Sequence, residues 1–538
     1  MKKVKYLFIT FALGLILTSC GDSFLNQHPE GGLLLEDQYN SLNDRLEGAV
    51  RGIYSKMYEY GNHDTFGQRS IDMYGDLQSG DMAMKKSRYG WFEVYERGLL
   101  YNYASGYIWS YYYEILNLTN RCAIALQDNS AEIIAQMGGT PSDEIAALGY
   151  MYGQVLTMRG WAYAALLRYY VNPMSTISDF NATPAIPIYT EIEVAKGTLG
   201  ESRSSVADVY NRIYEDLSMA IDLLDFYGKL NPRNSKLEVD ADVARITLAY
   251  AMLNYENMDI IADGKNSYEI AFEQAKAAID NGKYTLLKNA ELTTTGFADV
   301  NAANWIWGQD VTVETTTALG SFFGQVDIHT YSYAAAGDTK GIDSNLYDEI
   351  VATGWDARVN WFRSGDVKFA YCPDGKFYCP KTKTETALDK VDRDWLCDNV
   401  FMRIEVAYLI AAEAAWKLGD ETTARSYLEA LCSERVLDGK ASDMSAWIAS
   451  TDVETALIYN WRVEMWGEGY GLQTLRRLSK EVTLGKNHLS RANQKASSIG
   501  AGGDMFQCGI PESEIRYNPN MSSSTTPQNV LVKKTNNQ

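Results

Sequence analysis

The sequence has few of the side chains that most metal and acid–base chemistry requires. Only four histidines occur among 538 residues, and none belongs to a His-Glu-x-x-His pair. A Gly-x-Ser-x-Gly nucleophile motif and a phosphate-binding Gly-rich loop are also missing. The sequence therefore predicts a protein that is not an enzyme and that holds no metal and no other cofactor.

Positive charge is scarce as well. The chain has 49 Lys and Arg residues against 69 Asp and Glu residues, which gives a net charge of −20. Removal of the N-terminal segment described next leaves 46 basic residues against the same 69 acidic ones. Because nucleic-acid binding requires a basic surface for the phosphates, the composition argues against nucleic acid as a partner.

A long apolar run occurs only at the N-terminus. Three lysines precede the apolar stretch 6–17, which is too short to span a bilayer. The stretch ends in Leu17-Thr18-Ser19-Cys20, small residues before a cysteine, as in a bacterial lipoprotein signal. We predict that residues 1–19 are a signal peptide and that acylated Cys20 tethers the mature chain to a membrane. An ordinary secretory signal with an incidental cysteine is the alternative.

Cysteines are also few. Cys372 and Cys379 flank a Pro-Asp-Gly turn signal, and in an exported protein this pattern favours a disulfide across a hairpin. A metal site is the alternative, but no histidine or further cysteine lies close by in the sequence to complete a zinc site.

The best-defined pattern in the chain lies at residues 403–435. Apolar residues recur at helical spacing on both sides of Leu418-Gly419-Asp420, and Gly419 stands where a helix C-terminal glycine belongs. Ala412 and Ala424 have the spacing of the small residues at which the paired helices of a tetratricopeptide repeat touch. A single helical hairpin cannot bury its apolar stripe, so further hairpins are expected.

Further segments repeat the apolar offsets of this hairpin. We place helix pairs near residues 44–126, 148–225, 240–281 and 401–436. Generic helix packing is the alternative, since any amphipathic helix gives similar offsets. The predicted fold class is mostly α: a tetratricopeptide-like helical-hairpin scaffold within a single domain over residues 20–538.

Two regions, near 71–103 and 297–395, show glycines and aromatics instead of helical periodicity. The chain as a whole has 37 tyrosines and 12 tryptophans, so many rings must be partly exposed. Irregular insertions of this length in a compact domain usually carry function. We expect them to form a loop-rich half that bears the ligand-binding face. In the second region, Trp305 and Trp307 are expected to alternate across a strand with one ring buried.

Motifs along the whole chain, taken together, resemble one known family. They are Cys20-Gly-Asp-Ser-Phe-Leu25 before Pro29, the Arg-x-x-Glu-type repeat of 403–419, Trp461-Arg-Val-Glu-Met-Trp-Gly-Glu-Gly469, and Ile510-Pro-Glu-Ser-Glu-Ile515 with Asn518-Pro-Asn520. In this order they resemble the RagB/SusD family of Bacteroidetes surface lipoproteins, which are nutrient-binding partners of TonB-dependent transporters. Gly471 and Gln473 depart from the family pattern, as does the stretch from Ser522 to Pro527.

The resemblance implies a SusD-like fold with four tetratricopeptide-like helix pairs and a less regular ligand face. It implies a lipid-anchored protein on the cell surface at the outer membrane. It also implies two partners, a glycan and a SusC-like TonB-dependent transporter barrel that receives the captured oligosaccharide or polysaccharide.

Glycan binding suits the aromatic content of the irregular regions. A sugar ring presents apolar C–H faces to flat aromatics and a rim of hydroxyls to polar side chains. We select Trp91, Tyr331 and Tyr333 as candidate stacking rings, with Arg88 and Asn102 as hydrogen-bonding neighbours. The resemblance places the glycan site in these regions without fixing the residues. For each ring, ordinary packing is the alternative.

Three other functions stay open at this point. Some relatives bind peptides in a polar, acidic cleft. A glycoside hydrolase would need two carboxylates close in space, and Asp72 with Asp76 is one such pair in sequence. A pure scaffold would bind only a protein partner and would have no convergent exposed aromatics.

Overall fold

The computed structural model describes residues 42–93, 103–171, 177–233, 235–294, 296–377, 395–489, 498–500 and 508–521. The predicted signal peptide, Cys20, Asn102 and Cys379 lie outside these ranges. The chain divides into two compact units, Met1–Ala49 and Val50–Gln538. Of the first unit the structure describes residues 42–49, which begin the first helix.

The predicted fold class is confirmed, since most of the described chain is helical. The helices are α1 (Leu42–Ser55), α2 (Gln68–Ser79), α3 (Tyr103–Ala135), α4 (Asp143–Tyr170), α5 (Ile177–Ala182), α6 (Glu191–Ala195), α7 (Val206–Leu230), α8 (Ala241–Tyr255), α9 (Ser267–Asp280), α10 (Phe322–Val326), α11 (Tyr333–Ala336), α12 (Ser344–Thr353), α13 (Glu405–Lys417), α14 (Glu421–Ser433), α15 (Ala441–Ser450), α16 (Val453–Glu464), α17 (Gly471–Arg477) and α18 (Glu512–Tyr517).

The strands are short and form two-stranded antiparallel ladders. They are β1 (Met82–Met84), β2 (Trp305–Gln309), β3 (Lys340–Ile342), β4 (Asn399–Arg403), β5 (Glu481–Thr483) and β6 (Ser498–Gly500). In these ladders β1 pairs with β3, β2 with β4 and β5 with β6.

The long helices pack in one continuous series. Helix α3 packs on α4, α4 on α7, α7 on α8, α8 on α9, α9 on α13 and α13 on α14. The series contains the expected pairs at 148–225 (α4 with α7), 240–281 (α8 with α9) and 401–436 (α13 with α14). In the stretch 44–126, by contrast, the main partner of α3 is α4, because a short connection joins these two long helices and lets them pack as neighbours.

Small residues allow helices α4 and α7 to approach closely. A Cβ atom added at Gly153 would lie 2.6 Å from Leu224 Cγ, and one added at Gly160 would lie 2.6 Å from Leu217 Cγ. Real Cβ contacts are longer than this, so both positions require glycine at the present helix separation. The glycines of α4 therefore set the distance between the two helices.

A buried ionic network joins two of the recognised motifs. The Arg403 guanidinium donates to Glu464 Oε1 at 2.6 Å and to Glu468 Oε2 at 2.8 Å. Arg435 donates to Glu464 at 2.8 Å and to Glu405 at 3.0 Å. Burial acts to raise the pKa of Glu464, but Arg435 and Arg403 outweigh it and hold that pKa well below its usual range. Buried charges need such pairing, so the network fixes β4 against α16.

The two irregular regions contain more regular structure than their sequence indicates. Residues 71–79 belong to α2, and 297–395 includes β2, α10, α11, β3 and α12. Every residue of α2 is buried, so this helix has no polar face and no amphipathic period to detect. The expectation for Trp305 and Trp307 is wrong, since both rings are buried. The ladder register shifts between them, and alternation across the strand is lost there.

The predicted Cys372–Cys379 disulfide is wrong, because Cys372 is a free, buried thiol. Its side chain packs with Ile328 and Ala334 in a small apolar cluster. Burial raises the pKa of the Cys372 thiol to about 12, which leaves it protonated and unreactive at neutral pH. Cys397, by contrast, is disulfide-bonded.

In the part of the chain that the structure describes, no helix is both long enough and apolar enough to cross a membrane.

Candidate functional site

The ladder between β1 and β3 brings the two irregular regions together. Met82 pairs with Ile342 and Met84 with Lys340, and the Lys85 N–H donates to the Thr339 carbonyl at 3.0 Å. The chain that leaves β1 therefore runs beside the chain that enters β3. This places the loop 85–91 next to residues 331–339.

Asp338 fastens these two loops to each other. Its carboxylate is fully buried, and Oδ1 accepts hydrogen bonds from the backbone N–H of Arg88 at 2.5 Å and of Tyr89 at 2.9 Å. The Arg88 guanidinium also donates to the Ala336 carbonyl at 3.3 Å. A charged acceptor strengthens such bonds, so the backbone of the first loop is held at a fixed position over the second.

Five aromatic side chains meet where the loops join, and we call them the ring cluster: Tyr60, His63, Tyr89, Trp91 and Tyr333. The Tyr333 ring centroid lies 5.3 Å from His63, 5.4 Å from Tyr89 and 6.4 Å from Trp91. The His63 ring lies 5.0 Å from Trp91 and 5.8 Å from Tyr60. Most of these contacts are edge-to-face, a favoured aromatic geometry that places neighbouring rings in different planes.

The ring cluster is partly open to solvent. Tyr60 is 56% exposed and Tyr89 is 44% exposed, whereas His63, Trp91 and Tyr333 are half-buried. Burial raises the pKa of the Tyr333 hydroxyl, although a hydrogen bond from Trp91 opposes this shift. Burial also lowers the pKa of His63, so its imidazole is neutral at pH 7. Apart from the neighbouring Arg88, the cluster therefore presents uncharged rings.

A buried lysine supports the ring cluster from behind. Lys340 Nζ donates to Gln325 Oε1 at 2.9 Å, and Gln325 Nε2 donates to the His63 carbonyl at 2.7 Å. Burial lowers the pKa of Lys340 to about 8, against the opposing charge of Asp338. This relay connects β3, α10 and the turn that carries His63, so the cluster rests on fixed backbone.

The structure brings together three of the predicted ligand-binding residues, Trp91, Tyr333 and Arg88. Arg88 is exposed, and its guanidinium carbon lies 5.5 Å from the centre of the Tyr89 ring. Tyr331 is half-buried, two positions before Tyr333. Asn102 lies outside the described residues.

Sequence reasoning did not select Tyr60, His63 or Tyr89. Tyr60 and His63 lie before both irregular regions, in the turn that precedes α2, where the Gly61 and Asn62 N–H groups both donate to the Thr65 carbonyl. The one signal in the sequence was a glycine-containing turn between two aromatic residues, Tyr60 and His63.

The acidic pair considered for glycoside hydrolysis occupies a different environment. Asp72 and Asp76 are both buried in α2. Asp72 accepts hydrogen bonds from Gln68 and Arg69 at 2.8 Å each, and Asp76 accepts one from the Gly469 N–H at 3.3 Å. Both Asp72 oxygens and Asp76 Oδ2 are thus engaged in internal contacts that hold α2 in place, whereas Asp76 Oδ1 is buried without a hydrogen-bond partner.

The ring cluster has the chemistry of a carbohydrate-binding surface. It combines exposed aromatic faces with tyrosine hydroxyls and a guanidinium donor. Because the backbone that carries the rings is held in place, binding a ligand would cost little additional conformational entropy.

A family model described as SusD-like, "Starch-binding associating with outer membrane", matches residues 36–248. A SusD-like protein of Bacteroides ovatus is 24% identical over 288 residues. That match covers 53% of this chain and 46% of the relative, so it spans just under half of the relative's length.

Solved structures resemble a larger share of the chain. A SusD-like carbohydrate binding protein from Bacteroides vulgatus has a TM-score of 0.69 at 20% identity, over 90% of this chain and 98% of its own. A SusD superfamily protein from Bacteroides thetaiotaomicron has a TM-score of 0.69 at 21% identity, over 90% and 99%. These similarities show that the fold is shared.

Proposed function

Because this chain is a SusD-like protein, as its motifs indicated, we propose that it binds an oligosaccharide or polysaccharide at the ring cluster. It does so without catalysis and passes the glycan to a TonB-dependent transporter. The observation that carries the proposal is the convergence of Trp91, Tyr333, Tyr89, Tyr60 and His63 from three separate stretches of the chain.

Ordinary packing accounts poorly for this convergence. A core cluster would be closed to solvent, but the Tyr60 and Tyr89 rings are about half exposed. Exposed apolar surface is retained at a cost in solubility, and contiguous patches of it commonly mark binding sites. The contacts of the buried Asp338 and Lys340 side chains hold the backbone that carries the rings. Surface residues without a binding role would not need such support.

A sugar would meet the rings and the polar groups in distinct ways. The exposed parts of Tyr60 and Tyr89, together with the half-buried Trp91, supply stacking surfaces for the C–H faces of pyranose rings. The exposed Arg88 guanidinium supplies donors for ring or hydroxyl oxygens. Because the rings lie in different planes, they suit a curved or branched chain of sugars better than a straight chain that would stack on one flat surface.

The delivery step and the anchor belong to the same proposal. Acylation of Cys20 would hold the protein at the cell surface on the outer membrane, where a SusC-like barrel would receive the glycan. Incorporation of labelled fatty acid into the wild type, with loss of label in a Cys20→Ala variant, tests the anchor. Co-purification with the barrel in mild detergent tests the partner, and a protein that purifies alone would count against delivery.

The ligand class is tested by probing the mature protein with a glycan array and a peptide library in parallel. Binding to glycans that is lost in a Trp91→Ala variant supports the proposal. Binding to peptides alone would assign the protein to the peptide-binding function instead. Binding to neither, together with capture of the barrel, would identify a scaffold.

A further inference from the structure

Positive charge is concentrated in the loop that carries two members of the ring cluster. Lys85, Lys86 and Arg88 stand directly before Tyr89 and Trp91, and all three basic side chains are exposed. The chain as a whole has 49 basic against 69 acidic residues, so a basic loop runs against its general charge. Solubility does not explain this loop, because the acidic excess already keeps the net charge far from zero.

The three cations of the loop have no ionic partner within the protein. None of them forms an ion pair with a carboxylate in the part of the chain that the structure describes. Exposed lysines elsewhere do find such partners: Lys283 pairs with Asp242 at 2.9 Å, and Lys288 pairs with Glu434 at 2.6 Å. The positive charge of the loop is therefore not used to hold the fold together.

Two carboxylates contact the loop, but they do so through uncharged groups. Asp338 Oδ1 accepts from two backbone N–H groups of the loop, and the charge of Asp338 also offsets that of the buried Lys340. Glu93 Oε2 accepts from the Ser87 hydroxyl at 2.8 Å. With Lys340 included, the loop and its contacts hold four cations against two carboxylates, which leaves a positive balance.

The acidic side chains next to Tyr60 and His63 in the sequence do not pair with the loop either. Glu59 forms an ion pair with Lys56 at 3.0 Å. Asp64 Oδ1 is buried, and burial raises the pKa of this carboxyl group. The loop that bears Tyr89 thus keeps its positive charge at the edge of the ring cluster.

The Arg88 guanidinium is held in a defined position beside the rings. A Cβ atom added at Gly337 would lie 3.0 Å from Arg88 Cβ and 3.2 Å from its Cδ, so the arginine stem lies against this glycine. The guanidinium donates to the Ala336 carbonyl at 3.3 Å, and its carbon lies 5.5 Å from the centre of the Tyr89 ring. Its other N–H groups donate to no atom of the described residues. They are therefore available to a ligand that lies on the ring cluster.

We propose that the glycan bound at the ring cluster is anionic, with carboxylate or sulfate groups that pair with Arg88, Lys85 and Lys86. This inference rests on the proposed glycan-binding function and specifies the class of its ligand. The planar guanidinium matches two oxygens of a carboxylate or a sulfate, whereas the lysines act as point charges. The rings would stack on the sugar faces while the loop pairs with the acidic groups of the same chain.

The test compares acidic glycans with neutral forms of the same chains on one array. Carboxyl reduction turns each uronic acid into a neutral sugar, and desulfation removes sulfate while the sugar chain is kept. The mature protein is expected to bind acidic glycans about tenfold or more tightly than their neutral forms. Loss of affinity on carboxyl reduction identifies a uronate ligand, and loss on desulfation identifies a sulfated one.

Variants assign the preference to the loop. Arg88→Gln should weaken binding of the acidic glycan about tenfold, and Lys85→Gln with Lys86→Gln about two- to fivefold, since exposed point charges contribute less. The double variant removes only exposed charges, so it covers the case in which Arg88→Gln disturbs the loop. Lys229→Gln, which removes an exposed positive charge on α7, is the matched control and should bind as the wild type does.

Salt provides a second measurement, and the outcomes separate the two proposals. Affinity for the acidic glycan should fall as sodium chloride is added, because salt screens exposed charges. Equal binding of acidic and neutral forms would overturn the anionic ligand and leave glycan binding itself in place. An acidic preference that every variant retains would also overturn it, because the charge would then be recognised elsewhere. Binding to no glycan would overturn both proposals.

Discussion

Arg88 and Asp338 are 250 residues apart in sequence, yet the Asp338 carboxylate accepts a hydrogen bond from the Arg88 N–H at 2.5 Å. The same oxygen accepts from the Tyr89 N–H. One buried side chain therefore sets where the loop that bears Tyr89 and Trp91 lies relative to Tyr333.

Replacing Asp338 by Ala is expected to affect both stability and binding. Two backbone N–H groups would lose their buried acceptor, at a cost of about 1–3 kcal/mol in the free energy of unfolding. Glycan affinity should fall as well, because the rings would no longer be held together. Urea denaturation and titration calorimetry measure the two effects. Asp366→Ala, at an exposed position, should change the unfolding free energy by less than about 0.5 kcal/mol.

Substitutions in the ring cluster test the site directly. Trp91→Ala and Tyr333→Ala are each expected to weaken glycan binding about tenfold, or ~1.4 kcal/mol, because each removes a stacking or supporting ring. Tyr331→Ala is measured beside them to learn whether that ring contributes. Tyr517→Ala, which removes an exposed tyrosine on α18, should leave affinity unchanged. Unchanged affinity in the double variant Trp91→Ala/Tyr331→Ala, with an intact fold, would remove these residues from the site.

What the sequence could predict depended on how local each signal was. The helical series was predictable because amphipathic helices repeat their apolar residues within a few turns, as Ala424, Leu428 and Leu431 do. Trp91 and Tyr333 were identifiable as aromatics in two glycine-containing regions that lack helical periodicity in the sequence. Tyr60 and His63 were missed because only tertiary packing brings their turn to the other rings.

Other errors have the same origin. Helix α2 is buried on every side, so its sequence has no period that marks it as a helix. The chain does bend after Cys372, as the Pro-Asp-Gly signal indicates. The Cys372 side chain nevertheless packs with Ile328 and Ala334, and a turn signal in the sequence does not report on that packing. Local sequence signals could not report on either kind of burial.

The buried network around Glu464 predicts a dependence of stability on pH. Burial acts to raise the pKa values of Glu464 and Glu468, but neighbouring cations outweigh it and lower both. An unfolded glutamate titrates near pH ~4.3, so this stabilisation is fully present above that value. It is lost as the pH falls through the lower pKa values of the folded state. The free energy of unfolding from urea curves should therefore drop steeply below about pH 4.5.

A Glu464→Gln variant separates this contribution from general acid effects. At pH 7 it should lose roughly 3–5 kcal/mol, because Arg403 and Arg435 would lose their shared partner. Its decline at low pH should be shallower than that of the wild type. Arg516→Ala breaks an exposed ion pair with Glu512 and should cost less than about 1 kcal/mol. Parallel pH curves for Glu464→Gln and wild type would rule out this role.

The cysteine assignment predicts a labelling pattern. In the folded protein Cys372 should react slowly with maleimide, because its thiol is buried and its pKa is raised to about 12. In denaturant without reductant it should label fully, whereas Cys397 should appear by mass spectrometry in a disulfide-linked peptide. A Cys372→Ala variant should retain that linked peptide. Recovery of Cys372 itself in a linked peptide would contradict the structure.

The close packing of α4 on α7 predicts opposite effects for one substitution at two sites. At Gly160 an added methyl would lie 2.6 Å from Leu217 Cγ and 2.9 Å from its Cδ2. Gly160→Ala should therefore cost about 1–3 kcal/mol, since the two helices must move apart or Leu217 must leave its rotamer. Gly106→Ala on α3 adds the same methyl where no atom lies within 4 Å. It should stabilise by roughly 0.5–1 kcal/mol, because alanine loses less backbone entropy in a helix than glycine. Urea denaturation measures both values, and equal signs for the two variants would show that the helices are not in the close contact described.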